Sequence, residues 1–194
     1  MIMRKDNLTL KSVLISIKPK WCELISSGKK TIEVRKTRPR LEPPFKCYIY
    51  CTGAKSMNLR DYVAVHQATG GAVDDWSGKV IGEFVCDSLG IIEPLAPTVG
   101  HLVESCLSAG EMDDYLGTKR GFAWHISDLK IYDKPRELGE FYVHKYDEKD
   151  YCNGCVNHEC PVTEYPCCEC VEDEINRAYL YCPPQSWCYT EERS

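Results

Sequence analysis

Gly28, Lys30, Glu33 and Arg35 form a G-x-K-x-x-E-x-R pattern. Two cations flanking one carboxylate can grip a phosphate or the polar edge of a base. The segment KTIEVRKT (30–37) alternates as a strand, so Glu33 and Arg35 share one face while Ile32 and Val34 take the other. Lys30 stands at the strand's opening, where its long stem can fold over the charged face. A carboxylate between cations stays ionised, and a lysine set among charges is a candidate for proton transfer. The same spacing also fits an exposed strand face with cross-paired charges, each worth under ~1 kcal/mol.

The elements around this pattern must hold it. SVLISIKP (12–19) alternates and is rich in β-branched residues, which reads as a strand closed by Pro19. PKWCELISSGKK then opens with proline in a first helical turn, puts Trp21, Leu24 and Ile25 on one face, and stops at Gly28. Glycine takes the left-handed conformation that a helix end needs, so a strand can begin at once. FKCYIYC (45–51) is a third strand, NLRDYVAVHQA fits a helix, and TGGAVDDWSGK reads as a loop. KVIGEFVCDSLGII (79–92) is a long strand or a bent pair, with Gly82 marking a bulge. Two helical patches over 98–117, a strand over GFAWHISDLKIYD (121–133) and a terminal strand in PPQSWCYTEE (183–192) complete the pattern. About six strands dispersed among short helices, with no internal repeat, predict an α+β domain built on a small mixed barrel.

Composition narrows the function classes. With 43% hydrophobic and 27% charged residues over 194, the chain is ordinary globular material. No apolar stretch reaches a membrane span, and MIMRKDNLTLK has no signal-peptide core, so a cytoplasmic protein with no membrane partner is expected. The net charge of −5 hides a gradient: residues 1–46 hold 12 Lys and Arg against 4 Asp and Glu, whereas 47–194 hold 12 against 25. A basic first third on an acidic protein points to one anion-binding face, or simply to a solvated basic helix and hairpin.

Cysteine is the unusual residue, with 13 in the chain. Cys22, Cys47, Cys51, Cys86 and Cys106 are scattered and read as small buried hydrophobes. The rest cluster between Cys152 and Cys188, where Cys152-x2-Cys155 and Cys167-x2-Cys170 make two C-x-x-C knuckles. Four thiolates suit a closed, structural zinc site, and metal binding of order 10–16 kcal/mol would fold a segment with little apolar material of its own. His158, Cys160, Cys168 and Cys182 compete as ligands, and an iron–sulfur cluster, disulfides or free thiols are the other readings. From residue 151 on, two basic residues face eight acidic ones, so the segment suits a brace or a protein contact better than a nucleic-acid finger.

SIKPKWCELISSGKKTIEVRKTRP resembles the opening of an ASCH domain, whose hallmark is this G-x-K-x-x-E-x-R pattern. KVIGEFVC, GFAWHISDLKIYDKPRELGEF and PPQSWCYTEE extend the resemblance to phage and bacterial members over most of the chain. It implies a PUA-like β-barrel spanning 1–192, interrupted by a cysteine-rich, zinc-binding insertion over 150–182, with a cleft lined by the motif. Related domains bind RNA or modified bases, and some members are acetylcytidine amidohydrolases or a ribonuclease. On the amidohydrolase pattern, the lysine falls on Lys30 and the threonine position on Glu33, which lacks the hydroxyl. The glutamate falls nearest Glu111, with Glu104 next.

The reading that follows is RNA or modified-nucleotide binding through Lys30, Glu33 and Arg35. Lys18, Lys20, Lys36, Arg38 and Arg40 are the phosphate candidates, and Gly28 sets the turn. Trp124 and Trp187 could stack a base while Gln185 reads its edge, although both tryptophans also fit the core. Hydrolysis of an acylated nucleoside or of RNA, with Lys30, Glu33 and Glu111 as the catalytic set, is the alternative. A metal-braced protein-interaction module is a third. Metal analysis of the purified chain should find about one zinc per molecule, and Cys152→Ser with Cys155→Ser should remove it. Full zinc content in that double variant would reject the knuckle assignment.

Overall fold

The structure, a computed structural model, describes residues 12–53, 57–144, 177–179 and 183–192. The chain runs β1 (Ser12–Ile17), α1 (Pro19–Ser26), β2 (Ile32–Arg35), β3 (Phe45–Cys51), α2 (Leu59–Ala68), α3 (Ala72–Trp76), β4 (Lys79–Cys86) and β5 (Leu89–Ile92). It continues through α4 (Val99–Ser105), α5 (Ala109–Leu116), β6 (Gly121–His125), β7 (Ser127–Arg136), β8 (Phe141–His144), β9 (Arg177–Tyr179) and β10 (Trp187–Glu192).

The β-branched run SVLISI is central because it is flanked on both edges. β1 pairs parallel with β3 and antiparallel with β10, and all six of its residues are buried. The larger sheet has the order β7-β4-β3-β1-β10-β8-β9, and the smaller one β2-β6-β5. Ten strands in two sheets therefore stand, among the described residues, where the sequence predicts about six strands in a small mixed barrel. Part of the difference comes from chain corners. The run 79–92 is a bent pair, with β4 in the large sheet and β5 in the small one. The run 121–133 breaks in the same way at Ile126, and its second half extends to Arg136. Asp87 and His125 meet at these two corners, Oδ1 to Nδ1 at 2.6 Å, and the hydrogen bond holds the Asp87 carboxyl below its ordinary range.

The segment expected as a loop after α2 contains α3. Gly71 enters it at φ 89°, and Val73 and Trp76, one helical turn apart, are both buried. The main core lies between the sheets and α1, around Val13, Ile15, Ile25, Ile49, Phe84 and Trp124. A second core joins Ile32 and Val34 of β2 to Ile92, Met112 and Leu116. Cys22, Cys47, Cys51 and Cys86 are buried as expected, whereas Cys106 is only half-buried, and burial pushes the thiols of Cys22, Cys47 and Cys86 up.

Cys152, Cys155, Cys167 and Cys170, with His158, Cys160, Cys168 and Cys182, lie outside the described residues. Among the described residues, no group of three or more His, Cys, Asp or Glu is placed to hold a metal, and no helix is long and apolar enough to cross a membrane.

Gly82 does mark an irregularity, since the β4–β7 register shifts between Val80 and Gly82. The reason is close backbone approach: a Cβ there would run into the Lys130 carbonyl oxygen and lie 3.1 Å from Ile131 Cα. Gly82→Ala should therefore cost about 1–3 kcal/mol, read as a lower urea midpoint. An unchanged midpoint would show that β7 can move aside.

Candidate functional site

The site begins at a turn. After α1, Gly28 takes φ 73°, its N–H donates to Ile25 O at 2.9 Å, and Lys30 N–H donates to Leu24 O at 2.9 Å. The next residues are then stitched to the end of α4. Thr31 N–H donates to Glu104 O at 2.9 Å, and Cys106 Sγ donates to Lys29 O at 3.3 Å. Alternation along β2 does the rest: Ile32 and Val34 face the second core, and Glu33 and Arg35 face the other way.

Lys30 is 3% exposed and donates from Nζ to Ser105 O at 2.9 Å. That carbonyl belongs to the last turn of α4, where helix carbonyls lack intrahelical donors and the dipole favours a cation. Lys30 Nζ also lies 3.3 Å from Glu33 Oε2, and Glu33 Oε1 lies 3.1 Å from Arg35 Nη2. Arg35 Nη2 donates on to Ser16 O at 2.6 Å, and Nη1 to Ser186 Oγ at 3.3 Å. With Glu33 and Arg35 each 6% exposed, these three charges form a buried chain, and the reading as an exposed, cross-paired strand face does not hold.

All three line a cavity of about 770 Å³, within the range of small-molecule pockets. Lys18 and Lys36 add positive charge to its lining, and Glu111 and Asp114 add negative charge, which leaves one net positive. Among the described residues, four buried side-chain polar atoms have no hydrogen-bond partner: Glu33 Oε2, Arg35 Nε, Thr52 Oγ1 and Trp124 Nε1. The first three belong to residues lining this cavity. Glu33 Oε2 has Lys30 at ion-pair distance but not in hydrogen-bond alignment.

Of the residues expected at the site, Lys18, Lys30, Glu33, Arg35, Glu111 and Gln185 line the cavity. Gly28 shapes the turn, and Arg38 is exposed outside the lining. Trp124 and Trp187 are core residues. Trp124 is fully buried, edge-on to Phe45 at 5.7 Å and 6.0 Å from Trp187, whose Nε1 donates to Thr37 Oγ1 at 3.0 Å. Trp124 is the cross-strand partner of Glu33, and that face of the small sheet turns inward against the large one. Glu111 serves the helix it stands on, because its Oε2 accepts from Ser108 N–H and Ser108 Oγ, each at 2.9 Å, and so caps α5. Oε1 lies 3.5 Å from Lys20 Nζ, and the Ser108 hydrogen bonds, with Lys20 beside them, hold the carboxyl below its ordinary range.

Sequence patterning does not single out the aromatic residues that do line the cavity, Trp21 of α1 and Tyr115 of α5. Trp21 reads as part of an apolar helix face. Tyr115 follows Glu111 by four residues and Asp114 by one, so one face of α5 carries all three. That spacing is the signal the sequence holds for it.

No protein-family model matches the chain, and no curated protein does. Solved structures do. The fold is similar to ASCH from Zymomonas mobilis at 24% identity and a TM-score of 0.48, over 66% of this chain and 74% of that one. Two single-substitution variants of the same protein match at 23% and 24% identity with TM-scores of 0.46 and 0.47, each over 66% of this chain and 76% and 75% of theirs. The chain resembles ASCH structures.

Removing one member of the buried charge chain should be costly. Lys30→Met leaves Glu33 Oε2 without its cation and Ser105 O without its donor, and about 3–5 kcal/mol should be lost in chemical denaturation. A loss under about 1 kcal/mol would mean that water replaces the ammonium at little cost.

Proposed function

We propose that this chain is an ASCH-type domain that binds RNA or a modified nucleotide in the cavity lined by Lys30, Glu33 and Arg35. The observation that supports this reading is the gathering, around one positively charged pocket, of buried polar atoms that lack a hydrogen-bond partner. Buried polar groups are nearly always paired, so three such atoms on the residues of one cavity suit a ligand bearing both donors and acceptors. A base edge has that mixture, and its phosphate answers the surplus positive charge. Lys18 and Lys36 are the exposed cations of the lining and would meet the phosphate, whereas Arg35 and Glu33 would meet the base.

Binding suits the cavity better than turnover. Glu111 is engaged by Ser108 and Lys20 and held ionised, so it is a poor general acid near neutral pH. Glu33 stands where the amidohydrolase pattern has a hydroxyl. The four-thiolate zinc site at Cys152, Cys155, Cys167 and Cys170 belongs to the same proposal as a brace.

Affinity for short RNAs across a salt series tests the reading. Lys18→Ala and Lys36→Ala should each weaken binding several-fold, and each lost phosphate contact should lower the slope of log K against log salt by about 0.7. Binding that ignores both salt and Arg35→Ala would sink the proposal.

A further inference from the structure

The two aromatic side chains in the cavity lining carry the reading further. α5 is anchored through Met112 and Leu116, both buried in the second core. Its cavity face is therefore fixed, and Glu111, Asp114 and Tyr115 lie along it at i, i+3 and i+4. Trp21 stands on α1 with Lys20 Nζ 4.5 Å and Lys30 Nζ 5.3 Å from its ring centroid, and Lys20 also meets Glu111 of α5 at 3.5 Å, which ties the two helices together. Tyr115 is 38% exposed, and Lys36 Nζ sits 5.0 Å from its ring centroid. Its hydroxyl end feels both Arg35 and Glu33, and burial, the largest influence, pushes the phenol up, so it remains a hydrogen-bond donor at neutral pH.

Resting on the nucleotide reading above, we infer that the cavity seats a single nucleotide unit, its base packed against Tyr115 and its phosphate on Lys36 and Lys18. A pocket of about 770 Å³ lined by residues of α1 and α5 suits one unit rather than a strand laid along a groove. The unit arrives either as a free nucleotide or as one residue of an RNA, since the contacts are the same. Tyr115 is the specificity-determining residue because it presents a ring beside the charged floor.

The test measures binding of the common ribonucleoside 5′-monophosphates and of ribose 5-phosphate, which lacks a base, with tryptophan emission as a second readout. At least one nucleotide should bind about tenfold tighter than ribose 5-phosphate. Tyr115→Leu, which keeps bulk but removes the ring, should lose about that factor, and Tyr115→Phe should retain most of it. Because Tyr115 is partly exposed, both variants should keep the wild-type circular dichroism. Equal binding of ribose 5-phosphate, or a Tyr115→Leu variant that binds like the wild type, overturns the inference and leaves an anion site. RNA binding with no mononucleotide binding also overturns it, while the broader proposal stands. If neither RNA nor nucleotide binds, both fall. Oligonucleotides carrying the preferred base at an end or only internally then tell which source supplies the unit.

Discussion

Arg35 is where the two sheets are joined by charge. It belongs to the small sheet, yet its guanidinium donates to Ser16 O of β1 and to Ser186 Oγ just before β10, both on the large sheet side. A guanidinium taken out of water needs a counter-charge, and Glu33 supplies it two residues earlier on the same face. Glu33 in turn faces Lys30, whose ammonium reaches the last turn of α4. One carboxylate thus holds two cations, and these reach the large sheet and the α4 helix. Planar, multidonor geometry is what lets Arg35 bridge a backbone carbonyl, a hydroxyl and a carboxylate together, and a lysine at that position has no such fork.

This arrangement explains why the motif spacing is readable from sequence while its surroundings are not. Period-two alternation puts Glu33 and Arg35 on one face and Ile32 and Val34 on the other, and Gly28 supplies the positive φ that the turn requires. Those are local rules, and they hold locally. Whether the charged face meets water or protein depends on β1, β10 and α4, which come from far along the chain. Charged faces are usually solvated, so local pattern alone favours an exposed strand.

The aromatic residues show the same limit from the other side. Trp124 fits both a stacking platform and the core, because strand alternation alone does not say which face meets a cleft. Its register opposite Glu33 puts it on the inward face, under the sheet crossing, where it packs on Phe45 and Trp187. Trp21 has the pattern of a core residue because it shares a helix face with Leu24 and Ile25. Only Ile25 of that face is fully buried, and Trp21 opens onto the cavity. At the corners the core-facing positions change parity, from Phe84 and Cys86 to Leu89 and from Trp124 and Ile126 to Leu129 and Ile131, and apolar residues on both sides of each bend blur that shift in the sequence. The zinc reading rests on spacing alone, since its cysteines lie outside the described residues.

The basic first third divides into physical roles. Lys30 and Arg35 are consumed by burial and by Glu33, Lys46 lies 3.3 Å from Glu83, and Lys20 meets Glu111. Lys18 and Lys36 remain on the cavity lining, so the surplus positive charge is concentrated where buried atoms without a hydrogen-bond partner also gather. An exposed charge far from a pocket is screened within roughly 8–10 Å at physiological salt, whereas a charge at a protein-walled cavity is not screened to the same extent. On the proposed reading, the few cations left over at the lining therefore matter more for recognition than the many counted in the sequence. They stand over a floor that also holds the sheets together, so a ligand bound as proposed would find its freedom of adjustment in the exposed side chains of Lys18, Lys36 and Tyr115.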